Sequence, residues 1–340
     1  MKDRLNWGII GTGSIASDFV EALQGSARGR IVSVVGSSPA KSAAFSQEWQ
    51  VPRAAASIED LLGDSSVDAV YVATPHSLHE ENTLAAIAAR KAILCEKPLA
   101  LDAASATRMI DAARTARVFL MEAFMYRCHP MMNELLARIQ AGVIGRLRHV
   151  RSDFGIRVPR NPKGRLYNPA LGGGGILDVG GYPLSFARLL AGTVIGQPFA
   201  EPISWSAQGF VGETGTDEIA MAGLRFASGM TATLTCAVHH VTGTQTEIFG
   251  EDGRIVLPNP WIPGGDRYGR TNEFTIFRDG TAPEIVKVAA TQSAYAIEAD
   301  VVADSLPNLE APWPAMTWSD TLGNMRGLDT WRANVQSSQG

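Results

Sequence analysis

Apolar residues in the first third of the chain come in short runs separated by helical periods. "LNWGII" is one such run, and Ile15, Phe19 and Leu23 follow it at four-residue spacing. That pattern predicts a strand and then an amphipathic helix, with Gly25 placed to end it. "RIVSVVGSS" at 30–38 predicts a second strand. Further strands are expected at 67–73, 92–96 and 118–126, with helices between them, one capped by Asp102. Strands alternating with helices imply a doubly wound parallel sheet of the Rossmann type, with ligands beyond the carboxyl ends of the strands.

Past about residue 123 the period changes. Pro130 opens one helix, "MMNELLARIQAG", and two-residue alternation then prevails. "RLRHVRSDFGIR", "ISWSAQGFV", "TDEIAMAGLRFA", "GMTATLTCAV", "TQTEIFG" and "GRIVLP" predict an open, mostly antiparallel sheet in an α+β domain. In "MTATLTCAV", Ala232, Leu234, Cys236 and Val238 share one face, and Thr231, Thr233 and Thr235 the other. Near the end, Thr317-x-x-Asp320 caps a helical period of Leu322, Met325, Leu328 and Trp331, which is read as core. The expected division is a dinucleotide-binding domain over 1–122 and a substrate and oligomerisation domain over 123–340. The helix near 318–334 is expected to pack back on the first domain.

A chain of 340 residues can bury two cores, and 45% hydrophobic with 19% charged residues is ordinary for a soluble globular protein. A net charge of −4 argues against a nucleic-acid surface or a polybasic membrane contact. No apolar run approaches the roughly 18 residues of a membrane span, and the opening residues lack the pattern of an export signal. Cys95, Cys128 and Cys236 follow no paired spacing, so a reducing, cytoplasmic setting is expected.

Candidate chemistry gathers at the predicted strand ends. Gly11-x-Gly13-x-x-Ala16 stands between the first strand and helix. Gly11 permits a tight turn, Gly13 lets backbone approach a pyrophosphate, and Ala16 lets the helix pack on the strand. Ser14 and Ile15 open the helix, whose N-terminus favours phosphate charge. After the second strand an NAD enzyme usually carries an acid for the ribose 2′-hydroxyl. Here the chain reads Gly36-Ser37-Ser38-Pro39-Ala40-Lys41, with no acid. Ser37, Ser38 and Lys41 can donate to a 2′-phosphate, which favours NADP without excluding NAD. Thr74, Pro75, His76 and His79 follow another strand, and Glu96 and Lys97 end the next, where a nicotinamide ring is expected. His76 and His79 have metal-pair spacing but no third ligand, so no metal is expected. Pro98 biases Lys97 towards extended backbone.

Asp178 and Tyr182 are spaced i, i+4 behind the run Gly172 to Gly175, and Pro183 predicts an irregular helix start. Hydride transfer at an alcohol carbon needs a group that exchanges the hydroxyl proton and a fixed positive charge beside the oxygen. A tyrosine serving near neutrality needs its pKa lowered by roughly three units, about 4 kcal/mol. An ammonium about 4 Å away at an effective dielectric near 20 supplies about that much. The basic loop with Arg157, Arg160, Lys163 and Arg165 raises a further possibility, attraction of an anionic substrate group, against the plainer reading of a solvated surface loop.

"AILCEKPLA", the glycine motif and "GGGGILDVGGYPLSF" together resemble the glucose-fructose oxidoreductase and inositol dehydrogenase (Gfo/Idh/MocA) family over essentially the whole chain. "FLMEAFMYRCHPMMNELLARIQAGVIGRLRHVRSDFG", "FGEDGRIVLPNPW" and "DTLGNMRGLDTWR" look like its branch of dihydrodiol dehydrogenases and NADP-dependent xylose dehydrogenases. The resemblance implies a dehydrogenase acting on a CH–OH group of a sugar, polyol or vicinal trans-diol. Tyr182 would be general acid/base, Lys97 its electrostatic partner and substrate ligand, and Asp178 a hydrogen-bonding group. It further implies a cis peptide bond before Pro98 and a homodimer or higher homo-oligomer. The competing expectation is a dinucleotide-binding regulator or sensor without catalysis. A short-chain dehydrogenase is disfavoured, since Tyr-x-x-x-Lys is absent.

Overall fold

A computed structural model describes residues 4–24, 26–263 and 272–338, so Gly25 lies outside the described residues. The chain divides into two units, Met1–Cys128 with Gln292–Thr321, and His129–Thr291 with Leu322–Gly340.

The first unit alternates β1 (Leu5–Ile10), α1 (Ser14–Gln24), β2 (Gly29–Val35), α2 (Pro39–Trp49), β3 (Arg53–Ala54) and α3 (Ile58–Leu62). It continues with β4 (Ala69–Val72), α4 (His79–Ala88), β5 (Ala92–Glu96), α5 (Ala103–Ala116), β6 (Leu120–Ala123) and α6 (Met125–Cys128). The strands form one parallel sheet in the order β3-β2-β1-β4-β5-β6, so the direction of winding reverses between β1 and β4. Trp7, Ile9, Phe19, Tyr71, Leu94 and Met121 fill the core, and a returning helix, Ala294–Ser305, adds Ala299 and Val302. Ser38 caps α2 and Asp102 caps α5 through side-chain acceptors, each such cap contributing about 1 kcal/mol.

The strand expected at 118–126 is shorter, because the chain leaves the sheet after Ala123 and makes the helical turn α6. Buried Arg127 accounts for the departure. Its guanidinium donates to Pro314 O at 2.6 Å and to the Asp320 carboxylate at 2.7 Å, both in the returning segment. A guanidinium this deeply buried needs such partners, since removing one would cost about 3–5 kcal/mol.

The second unit begins with α7 (Pro130–Gln140), with Pro130 in its first turn, and β7 (Leu147–Arg157). A five-residue π-helical turn, Ile176–Gly180, runs into α8 (Gly181–Val194). The strands β8 (Pro202–Val211), β9 (Asp217–Phe226), β10 (Thr231–Ala237), β11 (His239–Gly243), β12 (Thr246–Gly250), β13 (Gly253–Leu257), β14 (Glu273–Arg278) and β15 (Glu284–Lys287) follow. Among the described residues they join β7 in a sheet ordered β15-β14-β13-β12-β7-β10-β9-β8, with β11 paired to β7. Only the β7–β10 pairing is parallel. The β10 face of Ala232, Leu234 and Cys236 is buried, as the alternation predicts. α8 is buried from Gly181 through Thr193, which suits its almost wholly apolar sequence. Its one guanidinium, Arg188, is paired with Glu201 at 2.8 Å. Thr317 Oγ1 accepts from Asp320 N at 3.2 Å at the start of the last helix, Trp318–Ser337, and Met325, Leu328 and Trp331 are buried along it.

Candidate active site

In the first unit the expected residues gather on the carboxyl edge of the parallel sheet. Gly11 directly follows β1 with φ +123°, and a Cβ there would lie 2.3 Å from Ala73 O, just past β4. Only glycine fits where the two strands diverge. A Cβ on Gly13 would meet nothing within 4 Å, so the backbone beside Ser14 and Ile15 is bare on its outer side. The first turn of α1 carries no acid. A turn with uncovered backbone at a helix N-terminus, set at the winding reversal, fits a dinucleotide pyrophosphate. At the end of β2, Lys41 Nζ donates to Ser37 Oγ at 3.1 Å, and Ser38 Oγ accepts from Lys41 N at 3.3 Å. One serine thus orients the amine while the other caps its helix.

Thr74 and Pro75 lead into a single 3₁₀ turn, His76–Leu78. His76 is only 7% exposed, and His79 is fully buried. The His79 ring nitrogens lie 2.8 Å from Pro98 O and 3.0 Å from Thr74 O, so this side chain joins the loops after β4 and β5. It serves as an internal strut, whereas sequence spacing had set it beside the cofactor groups. Glu96 also points inward. It accepts from the Tyr71 hydroxyl, and its other oxygen accepts from Lys97 N at 3.2 Å. The peptide bond between Lys97 and Pro98 is cis. Glu122 accepts from Leu99 N at 2.9 Å and secures the far side of the loop. Lys97 therefore projects from a loop held by two carboxylates and an imidazole. Behind them lies Glu298 of the returning helix, fully buried, its carboxyl raised well above the ordinary glutamate range by burial and by Glu96.

In the second unit Asp178 lies within the π turn and Tyr182 just past it, in the first turn of α8. Pro183 has no N–H to donate to the preceding turn, and the irregular start absorbs that loss, as the sequence predicts. Asp178 is 2% exposed and accepts from Arg165 Nη1 at 2.8 Å. The Tyr182 ring meets Phe154 edge-on at 5.1 Å and Trp261 at 5.8 Å. Trp261 is itself fixed by its indole N–H, which donates to Asp153 O at 2.9 Å. The phenol thus stands in an apolar, aromatic wall that fixes its direction.

Two guanidiniums of the basic loop are taken by acids from elsewhere. Arg160 donates to both oxygens of buried Glu218, at 2.8 and 2.7 Å, and Arg165 holds Asp178. The plainer reading of that loop gains support, since half its arginine and lysine charge is neutralised. Sequence reasoning missed Asp217, the first residue of β9, whose carboxylate accepts from Ile176 N at 2.7 Å. Its signal was present in the glycines. A Cβ on Gly174 would lie 2.3 Å from Asp217 Oδ1, so the bare stretch admits a carboxylate. Among the described residues no group of three or more His, Cys, Asp or Glu side chains is arranged to hold a metal ion. No helix among them is long and apolar enough to cross a membrane.

Comparison with known proteins places the fold in a family. Residues 5–124 match a family model described as an oxidoreductase family with an NAD-binding Rossmann fold, and 132–256 match the GFO/IDH/MocA C-terminal domain. The mouse trans-1,2-dihydrobenzene-1,2-diol dehydrogenase is 34% identical over 261 residues, covering 76% of each chain. The human enzyme of the same name is 33% identical over 262 residues, again 76% of each. A crystal structure of a 3-ketoreductase from Actinomadura kijaniata with NADP and TDP-benzene superimposes with a TM-score of 0.85 at 26% identity, covering 98% of each chain. An aldose-aldose oxidoreductase from Caulobacter crescentus, at 23% identity and a TM-score of 0.85, shares the fold. With a glycine turn at the winding reversal, a clamped Glu96-Lys97-Pro98 loop and a two-domain match, the chain belongs to the Gfo/Idh/MocA family of nicotinamide-dependent oxidoreductases.

Proposed function

We propose that this oxidoreductase uses NADP and acts on a CH–OH group, or the matching carbonyl, of a sugar, polyol or vicinal trans-diol. The observation that carries the reading is Lys97 on the sheet edge that also bears the Gly11–Gly13 turn, at the end of β5. Bound nicotinamide would supply the hydride acceptor or donor. Gly11, Gly13, Ser14 and Ile15 would hold its pyrophosphate, and Thr74, Pro75 and His76 would border it. Ser37 and Lys41 favour a 2′-phosphate because the Lys41 ammonium, donating to Ser37 Oγ, stands where an NAD enzyme carries an acid. The NADP in the crystallised ketoreductase supports the same choice.

Tyr182 exchanges the proton of the substrate hydroxyl, and Lys97 stabilises the phenolate and the developing alkoxide. The aromatic wall of Phe154 and Trp261 limits water at the phenol, so a cation brought beside it would act at low dielectric. Asp178, oriented by Arg165, accepts a hydrogen bond from a neighbouring substrate hydroxyl. The diol named for the relatives presents such a pair of oxygens. Crystal forms of the ketoreductase with one lysine or one tyrosine replaced single out the same residue types.

The outer face of the second sheet sets Gln208, Met221 and Thr235 in one cross-strand row, with Phe210 close by and more than half exposed. We infer a homo-oligomer joined through that face, which light scattering would show as twice the chain mass or more. Three unpaired cysteines suit a cytoplasmic setting. The decisive assay follows nicotinamide absorbance with NADP and NADPH across aldoses, ketoses, inositols and trans-1,2-dihydrobenzene-1,2-diol, with NADPH fluorescence as a binding control. Turnover of one of these by the wild type, lost in Tyr182→Phe, is expected. Tight NADPH binding with no turnover of any would assign the chain to a sensor instead.

A further inference from the structure

The helical run that carries Asp178 and Tyr182 has no capping side chain of its own. Gly175 occupies the N-cap position, and no side chain of that segment caps it. Its first free N–H, on Ile176, is instead bound by Asp217 from β9 at 2.7 Å. Asp217 is 9% exposed, and its carboxylate also bears on the Gly175 N–H. Gly174 and Gly175 leave space for it, since Cβ atoms there would stand 2.3 Å and 3.3 Å from the two carboxylate oxygens. A carboxylate at this helix end also complements the positive end of the helix dipole.

We propose that Asp217 is a positioning residue for the reaction, a cap delivered in trans that fixes the turn bearing Asp178 and Tyr182 from behind. The inference rests on the functional reading given above. Arg165 holds the turn by the Asp178 side chain, on the loop side, and Asp217 holds it by its backbone. An amide would replace the carboxylate only in part. More than one backbone N–H bears on Asp217, the Ile176 N–H on Oδ2 and the Gly175 N–H beside it. An asparagine has a single acceptor oxygen, carries no charge and brings an NH₂ into the same space.

The ionisation of Asp217 adds a second consequence. Burial lifts its carboxyl to about 7, against the opposing pull of the backbone N–H groups and of Arg332 on the last helix. Asp217 in turn bears on the Cys236 thiol on β10, which burial pushes up and which Asp178 also faces. The charged cap is thus complete above neutrality and lost as pH falls through about 7.

The test compares wild type, Asp217→Asn and Gly175→Ala as full-length chains. Gly175 has φ −68°, so an alanine is conformationally allowed, and its Cβ would press on the carboxylate only from 3.3 Å. It keeps the test open should the first variant fail to fold. For Asp217→Asn, turnover of the best substrate in the NADP panel falls about tenfold or more with unchanged NADPH affinity. Hydrogen exchange speeds up in peptides covering 174–182 and not in β1 to β6, and the acid-side fall in kcat/KM near neutrality disappears. Gly175→Ala shows the same changes to a smaller degree. Wild-type kcat, pH profile and exchange in either folded variant would overturn the proposal. The exchange readout needs no turnover, so it stands even if every substrate fails. An inactive Tyr182→Phe beside a fully active Asp217→Asn removes the cap and leaves the enzyme reading intact.

Discussion

The two groups of proposed site residues, one in each unit, reach their local geometry by different means. Lys97 ends a regular parallel strand, so sheet register fixes its place, and the clamp around it comes mostly from neighbouring strand ends: Tyr71 and Glu96, Glu122, and His79 on the loop carbonyls. Asp178 sits on an irregular turn and Tyr182 just past it, at the start of α8, and what fixes them comes from elsewhere along the chain: Arg165, Asp217 and Trp261. A site residue on a regular element inherits its position. One on a turn has to be given it by tertiary contacts, and there a single remote substitution should cost the most function.

The largest effect tests whether both halves serve one reaction. Lys97→Met and Tyr182→Phe should each lower turnover by about a hundredfold or more, roughly 2.7 kcal/mol of transition-state stabilisation, while NADPH still binds. Steady-state kinetics beside fluorescence titration separates the two quantities. If one variant kept ordinary turnover, the half-site it belongs to would be structural, and the symmetry of the comparison would fail.

Next comes the buried acid behind the first half. The two Glu298 oxygens have no hydrogen-bond partner among the described residues, and burial next to Glu96 raises the carboxyl well above the ordinary glutamate range. The sign follows from proton counting. Above about pH 4.3 the unfolded chain releases this proton, and the folded chain retains it until its raised pKa is passed. Stability from this group therefore declines as pH rises through that window, by at most about 1.4 kcal/mol per unit. Glu298→Gln should flatten this dependence and gain on the wild type between pH 5 and pH 8 in urea unfolding. An unchanged slope would mean that the acid is ionised in the fold.

These contrasts also explain what could be read directly from the residues. The parallel sheet, the helix cap at Asp102 and the place of Lys97 at a strand end follow from local period and strand ends, and the structure agrees. Ser38, read as a phosphate donor, also caps α2. The helix Ala294–Ser305 was not foreseen, because its alanines and lone acids give no clear stripe and its place in the first unit is set by a return of the chain from far away. β11 and β15 give short, weakly alternating stretches, and β14 is a six-residue strand near the sheet edge whose alternation, Phe274 and Ile276 buried, is too brief to stand out. The pairing of Arg165 with Asp178 spans 13 residues of loop, and that of Ile176 with Asp217 spans 41 residues. No spacing rule reaches across either. Their only trace was the glycine run, which signals close approach without saying of what.

A smaller effect is expected where the second half is held by an exposed side chain. The Arg165 side chain is 49% exposed and the Asp178 side chain 3%, so the pair is screened at one end and buried at the other. Arg165→Met keeps much of the aliphatic stem and withdraws the guanidinium. We expect kcat/KM to fall by about tenfold, with KM rising more than kcat falls, since Asp178 is read as a substrate ligand. Wild-type KM would show that the other contacts of Asp178 suffice to orient it.

The smallest expected change concerns the cofactor end of the first half, the one place where position is inherited but chemistry is loosely held. Lys41, Ser37 and Ser38 are all solvent-accessible, and the amine reaches Ser37 Oγ at 3.1 Å without any acid to fix it. An exposed ammonium facing a phosphate is worth at most about 1 kcal/mol at physiological salt. Lys41→Ala should therefore weaken NADPH binding by about three- to fivefold, leave NADH binding alone, and lose that difference as ionic strength rises. Ser37→Asp should do more, because it places a carboxylate where the 2′-phosphate would lie and supplies the acceptor that an NAD ribose uses. Titration of both cofactors at two salt concentrations reads the result. Equal losses for NADH and NADPH in Lys41→Ala would show that the lysine steadies α2 and reads no phosphate, and the preference for NADP would then have to arise from another element of the first unit.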